Sequence, residues 1–266
     1  MKKIAFLFPG QGAQAVGMGH DFYEEFELVR EVFDMAEEIT RMNLSRLCFN
    51  GPMEDLTVTA NLQPAITAVN LAFLAVIEKE GLHPNIVAGH SLGEYSALSA
   101  SGALTREDTF DLVKNRGELM HRESARYEGA MHAIVGLPIG TVEQLVAEGQ
   151  KEGVVAVGNH NAELQIVITG APDPVAKVSE EAVALGAKAI PLKVSGAWHS
   201  ELIRGAEDAL NAQLNTLSFK TPDTPIILNV TAEMTGEADE IRTAMTRQLC
   251  SPVKWYDTMG CLMDEA

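Results

Sequence analysis

Cysteine is scarce in this chain. Cys48, Cys250 and Cys261 are the three present, far apart and without a CxxC pair. That excludes a disulfide framework and a thiolate zinc site. Positive charge is also short: 20 Lys and Arg stand against 37 Asp and Glu, a net charge of −17. A nucleic-acid partner wants a basic face, so that class is set aside. An acidic partner would have to be received by a local basic patch. No internal repeat or low-complexity linker breaks the chain. No consecutive apolar run approaches the ~18 residues of a membrane helix. The opening "MKKIAFLFPGQGAQ" has the outline of a signal peptide, but its apolar part, Ile4–Phe8, is too short and is broken by Pro-Gly-Gln-Gly. A buried first strand and a cytoplasmic protein are expected. What is plentiful is apolar residues, 46% of 266, enough for one large domain or a large and a small one.

The periodicity predicts an interrupted α/β fold. Lys3–Phe8 reads as a strand and Gly17–Thr40 as mostly helix, with Phe22, Phe26, Val29, Val32, Phe33 and Ala36 near helical spacing. Gln63–Glu80 is apolar on more than one face, so it should be a buried helix, closed by Gly81. Strand 86–88, helix 93–101 and helix 109–122 follow, the last framed by Thr105 and Asp108. Then the pattern changes. Strands at 131–136, 154–157, 165–169 and 189–194, with helices at 141–152 and 174–185, give the β-α-β-β-α-β order of a ferredoxin-like unit. Helix 200–214, strand 226–230 and helix 238–249 complete the chain. The expected fold is α/β: a hydrolase-like core with a mostly parallel sheet (1–126 and 193–266), interrupted by a ferredoxin-like small domain (127–192).

One stretch, "IVAGHSLGEYSAL" (Ile86–Leu98), suggests chemistry. A serine between two glycines, where a strand turns into a helix, is the pattern of a nucleophile elbow. Gly89 and Gly93 leave room for the strained turn. Ser91 then stands at a helix N-terminus, where backbone N–H groups stabilise an oxyanion, with the Leu92 N–H as one donor. The motif alone leaves the type of hydrolase or transferase open. Among seven histidines, His20, His83 and His160 fall in expected loops, and His121 and His132 are ambiguous. His90, beside the serine, should be a packing or site-wall residue. His199, in the small-residue turn "SGAWHS" after a strand, is the favoured base. An ordinary esterase also needs an acid after a later strand, and none stands at an obvious strand end between Ser91 and His199.

Further stretches extend the pattern in order: "FPGQGAQ" (Phe8–Gln14), "NRGELM" (Asn115–Met120), "GNHNAELQIVITG" (Gly158–Gly170), "VSGAWHS" (Val194–Ser200) and "QLCSPVKW" (Gln248–Trp255). Together with the elbow they resemble the malonyl-CoA:acyl-carrier-protein transacylases of fatty-acid synthesis and the related polyketide acyltransferase domains. The resemblance covers essentially the whole chain. It implies that Ser91 carries the malonyl group as an ester and that His199 is base, then acid. It implies that the main-chain carbonyl of Gln248 orients His199, which accounts for the missing acid. Gln11 and Leu92 match the oxyanion donors, and Arg116 the carboxylate-binding arginine. By itself Arg116 reads as a helix-surface residue; inside a pocket, a guanidinium makes a bidentate pair with a free carboxylate that an acetyl group cannot offer. Met120, one turn on, lies on the same side as Arg116 or packs in the core. Asn161 matches a family asparagine near the site. Trp198 stands where malonyl-selective members have phenylalanine, so malonyl is expected over methylmalonyl.

The resemblance also implies a ping-pong transfer from malonyl-CoA to the phosphopantetheine thiol of acyl carrier protein, by a monomer with no metal or resident cofactor. Family members continue for some tens of residues past the "WYDTMGCLMDEA" stretch, with a strand and a Gly-Pro turn before a last helix; without them the sheet is expected to lack an edge element. The alternatives are a polyketide or malonate-decarboxylase acyltransferase, a serine thioesterase with water as acceptor, and a binding protein that keeps the elbow without turnover.

Overall fold

A computed structural model of the chain describes residues 3–265. Among these, strands β1 (Ala5–Phe8) and β2 (Ile86–Gly89) begin one sheet. Strands β3 (Ala130–Val135), β4 (Val155–Ala162), β5 (Gln165–Gly170) and β6 (Lys188–Pro191) form a second. Strands β7 (Ile226–Ile227) and β8 (Met234–Thr235) return to the first, whose order is β1-β2-β7-β8. β1, β2 and β7 are parallel, and β8 runs antiparallel at the far edge. Every residue of β2 is buried, as its unbroken apolar run requires of a central parallel strand. The register sets Phe8 against Gly89, so the loops leaving β1 and β2 emerge side by side. This is the end of a parallel sheet at which sites are built.

The second sheet is antiparallel in the order β4-β5-β3-β6, with helices Ile139–Gly149 and Pro172–Ala184 in its crossovers. Its pleat divides two cores. Ile134, Ile166 and Ile168 pack with Val142, Val146 and Val175 of those helices. Met131, Ala133 and Val167, on the alternate face, join the larger core around the first sheet.

Thr59–Lys79 is long and apolar enough to cross a membrane by length and composition, a point the consecutive-run criterion passed over. The fold buries 78% of its most apolar window. It crosses helix Arg106–Arg126 at Gly117, where an added Cβ would lie 3.0 Å from the Thr59 carbonyl oxygen. This close approach brings Arg116 and Met120 against Gln63. Thr105 caps the second helix, its Oγ accepting from Asp108 N at 3.0 Å. Gly81, at φ 79°, closes the first.

Several expectations are corrected. The helix predicted over 17–40 is split, because Phe26 is extended between His20–Glu25 and Glu27–Thr40. The strand predicted over 226–230 stops at Ile227. The backbone there folds back, Ala232 N donating to Leu228 O, and Asn229 N bonds the Glu94 side chain instead of a ladder partner. The strand predicted over 154–157 runs on to Ala162, which places His160 in a buried strand position rather than a loop. The helix predicted over 200–214 opens with a 3₁₀ turn, Glu201–Ile203. That over 238–249 ends at Met245, and Gln248–Cys250 is a separate 3₁₀ turn. Helices Leu44–Asn50, Met53–Thr57 and Trp255–Asp264 were not anticipated.

Backbone packing at the head of the first sheet predicts an outcome. A Cβ on Gly93 would sit 2.0 Å from the Phe8 carbonyl oxygen. Neither backbone can yield without moving the sheet. Gly93→Ala is expected to cost about 3 kcal/mol and lower the melting temperature by roughly 5–10 °C, read by thermal denaturation.

Candidate active site

β2 delivers Gly89 to the turn, and helix Gly93–Ala100 begins immediately beyond it. Ser91 between them has φ 50°, the left-handed region that non-glycine residues avoid. The flanking glycines are steric necessities: a Cβ on Gly89 would meet Gly93 C and O at 2.1 Å. A Cβ on Gly10 would meet the His90 carbonyl oxygen at 2.3 Å, so the β1 loop lies directly on the elbow and brings Gln11 beside Leu92.

His199, also left-handed at φ 63°, places Nε2 2.8 Å from Ser91 Oγ. Its Nδ1 lies 3.0 Å from Ser251 O and 3.2 Å from Gln248 O. Carbonyl oxygens only accept, so Nδ1 carries the hydrogen and Nε2 is left bare to receive the serine proton. Two carbonyls orient this ring where a triad would have one carboxylate. Burial, with the charge of Arg116 and the neighbouring His90, pushes the His199 imidazole down to about 3. It is therefore neutral near pH 7.

Arg116 is 1% exposed. Its Nη1 donates to Gln63 Oε1 at 2.8 Å, and Nη2 points to Gln248 Oε1 at 3.2 Å and Ser91 Oγ at 3.3 Å. The guanidinium carbon lies 5.1 Å from the Tyr95 ring centre. No carboxylate among the described residues comes within ion-pairing distance of it. Read on its own, Arg116 belongs on a helix surface; the fold buries it beside the serine.

A cavity of about 160 Å³ opens over these groups. Gln11, His90, Ser91, Leu92, Arg116, Met120, Asn161, Trp198 and His199 all line it. Gln248, the remaining residue singled out from sequence, stands buried behind the serine. His90 Nε2 bonds Asn161 Oδ1 at 2.9 Å, and its ring meets Trp255 edge-on, as a wall residue should. Met120 accepts at Sδ from Gln63 Nε2 at 3.1 Å. Trp198 is 5% exposed, its six-membered ring packed against Gly196. A larger groove of about 480 Å³ runs along β1, but its lining is apolar apart from Asn70 and holds no nucleophile or base, so size does not locate the chemistry.

Residues 5–265 match the acyl transferase domain family. The chain belongs to that family. The malonyl CoA-acyl carrier protein transacylase of Bacillus subtilis (strain 168) is 43% identical over 267 residues, covering 100% of this chain and 84% of that protein. The acyl carrier protein S-malonyltransferase of Vibrio cholerae superposes with a TM-score of 0.95 at 37% identity, over 99% of this chain and 87% of that one. A malonyl-transacylase solved with a type II PKS acyl-carrier protein matches at TM-score 0.95 and 34% identity, over 99% of this chain and 86% of that one.

Four residues at this acyl transferase site were missed from sequence: Gln63, Glu94, Asn229 and Ser251. Glu94 had a signal, a charged residue within the apolar run of the elbow helix. So had Asn229, a polar residue within the apolar run of the strand predicted over 226–230. Asn229 Oδ1 accepts from Ser91 N at 2.7 Å and its Nδ2 donates to Gly89 O at 2.7 Å. Glu94 is 1% exposed; burial raises its carboxyl to about 7, against the opposing pull of its hydrogen bonds and Arg116.

His199 and Glu94 therefore drive stability in opposite directions with pH. Between about 3 and ~6.5 the unfolded chain holds a proton on His199 that the folded chain does not, so that contribution is lost as pH falls through the window. Between ~4.3 and about 7 the folded chain holds a proton on Glu94 that the unfolded chain does not, so that contribution is lost as pH rises. Relative to wild type, Glu94→Gln should make the melting temperature rise more steeply with pH across the second window. His199→Asn should make it rise less steeply across the first. Melting curves across both windows check both signs.

Proposed function

We propose that this acyl transferase moves a malonyl group from malonyl-CoA to the phosphopantetheine thiol of acyl carrier protein, supplying fatty-acid synthesis. The single observation that carries the reading is Arg116: a fully buried guanidinium, within 3.3 Å of the serine oxygen and without an ion-pair partner among the described residues. A buried charge left alone is costly, and a substrate carboxylate satisfies it. The names of the relatives point the same way.

Ser91 Oγ attacks the thioester carbonyl while His199 Nε2 takes the hydroxyl proton. The Gln11 and Leu92 N–H groups receive the oxyanion. The C–S bond breaks, His199 returns its proton to the departing coenzyme A thiolate, and a malonyl ester remains on Ser91. In the second half His199 deprotonates the carrier thiol, which attacks the ester, and Ser91 regains its proton. The malonyl carboxylate offsets the Arg116 charge that helps hold His199 down, so substrate binding raises the basicity of the base it needs. The thioester supplies the activation, and the reaction as drawn uses no metal or redox group. The indole of Trp198 crowds the acyl pocket and favours malonyl over methylmalonyl.

The same reading takes residues 1–126 and 193–266 as a hydrolase-like catalytic core and 127–192 as a ferredoxin-like small domain; the strand order β4-β5-β3-β6 supports it. The enzyme acts as a cytoplasmic monomer, without membrane or nucleic acid. The type II PKS neighbour favours a second setting for the same chemistry, polyketide synthesis.

Intact-protein mass spectrometry after brief exposure to malonyl-CoA, beside acetyl-CoA, tests the proposal. One malonyl adduct, discharged by holo carrier protein, with little acetyl labelling, is expected. Steady release of coenzyme A without an adduct would replace transfer by hydrolysis.

A further inference from the structure

Both backbone polar groups of the nucleophile are held by side chains. The Ser91 N–H donates to Asn229 Oδ1 at 2.7 Å, and the Ser91 carbonyl accepts from Gln248 Nε2 at 2.8 Å. That carbonyl also accepts from the Glu94 N–H at 3.1 Å. The Ser91 C=O and the Leu92 N–H belong to one planar peptide unit, so whatever aims the first aims the second. Gln248 is itself fixed. Its Oε1 accepts from Arg116 Nη2 and, at 3.4 Å, from the Tyr95 hydroxyl, while the second Nε2 hydrogen goes to Glu94 Oε2 at 2.8 Å. A flipped amide would set an oxygen against two acceptors and an NH₂ against two donors, so one orientation is specified. The other Glu94 oxygen accepts from Asn229 N at 2.7 Å. One buried carboxylate thus holds the Gln248 side chain and the Asn229 main chain, and both residues pin the serine.

We infer that Glu94 is a positioning residue that, through the Gln248 side chain, fixes the Ser91–Leu92 peptide and so sets the aim of the Leu92 N–H at the oxyanion. The inference rests on the oxyanion role given to Leu92 in the proposed reaction. Gln248 has two duties: its main chain orients the base, and its side chain orients the oxyanion donor. The bond that the Ser91 carbonyl accepts from Gln248 also polarises the Leu92 N–H of the same peptide, so the donor is strengthened as well as aimed.

The test uses a fluorophosphonate probe, which carries no carboxylate and so bypasses malonyl recognition by Arg116. Ser91 Oγ forms a bond to phosphorus, fluoride leaves, the serine proton passes to His199, and the phosphoryl oxygen takes the oxyanion position. Glu94→Gln, nearly isosteric, is expected to slow labelling roughly ten- to a hundred-fold, below the full loss of an oxyanion donor. Gln248→Leu should slow it at least as much, and the double variant no more than Gln248→Leu alone. The pH profile of wild type beside Glu94→Gln gives a readout that packing would not move. The charged and titratable groups around Glu94 are Arg116, Tyr95 on its own helix and, beyond Tyr95, Glu207; His199 stays neutral down to about 3. Wild-type labelling should therefore fall towards the Glu94→Gln rate below about pH 7, while Glu94→Gln stays flat there. Labelling of Glu94→Gln within twofold of wild type with the same profile overturns the inference. So does a double variant much slower than Gln248→Leu, or a folded wild type inert to the probe. A wild type that takes the probe but never a malonyl group sinks the malonyl reading alone and leaves the variant ratios to decide this one.

Discussion

Ser91→Ala forms no malonyl adduct, and turnover falls by on the order of 10⁶-fold. His199→Ala falls by a similar factor, and the double variant is no worse than either. The reason is geometric. The 2.8 Å contact between Oγ and Nε2 makes nucleophile and base one device, and removing either half removes its whole contribution. A remnant rate from the oxyanion donors and Arg116 should survive. Single-turnover transfer from radiolabelled malonyl-CoA measures it. Strongly additive losses would mean that the serine does not depend on this histidine.

The elbow was legible because it is local. Gly89 and Gly93 flank Ser91 within five residues, and the requirement they meet, backbone packed on backbone, is set by the turn itself. Helix Thr59–Lys79 and the β-α-β-β-α-β unit were legible for a related reason: their periodicities are long enough to read. The order of motifs carried the remaining site residues, including Arg116, which composition alone left on a helix surface. What escaped depends on distant contacts. Asn229 lies inside the strand predicted over 226–230, and nothing nearby indicates that its N–H leaves the ladder for Glu94, 135 residues earlier. Ser251 contributes only a carbonyl, a group every residue has, so no residue type could announce it. Short elements such as β8 and Met53–Thr57 lack the length for a period and are set by packing.

Arg116→Ala is expected to lower kcat/KM for malonyl-CoA by roughly 10²–10³-fold and to abolish the preference over acetyl-CoA. Truncating one partner of a buried, hydrogen-bonded charge pair costs about 2–5 kcal/mol, and each ~1.4 kcal/mol is tenfold. The loss should be specific to substrates with a free carboxylate. Malonyl-CoA loses its counter-charge, whereas acetyl-CoA loses the penalty of facing an unpaired guanidinium. Arg116→Lys is the sharper variant. It keeps a charge but not the planar fork that reaches Gln63 and Gln248 together, so malonyl preference should return only in part. Competition between the two thioesters, read as the ratio of adduct masses on Ser91, separates these outcomes. A strong malonyl preference surviving in Arg116→Ala would assign carboxylate recognition to another group. Among the described residues the remaining wall of the cavity has no second buried cation: burial lowers the His90 pKa, and Asn161, Met120 and Trp198 carry no charge. Selectivity for the acid-bearing acyl group is therefore expected to rest on one guanidinium, which has no ion-pairing carboxylate among the described residues until the substrate supplies one.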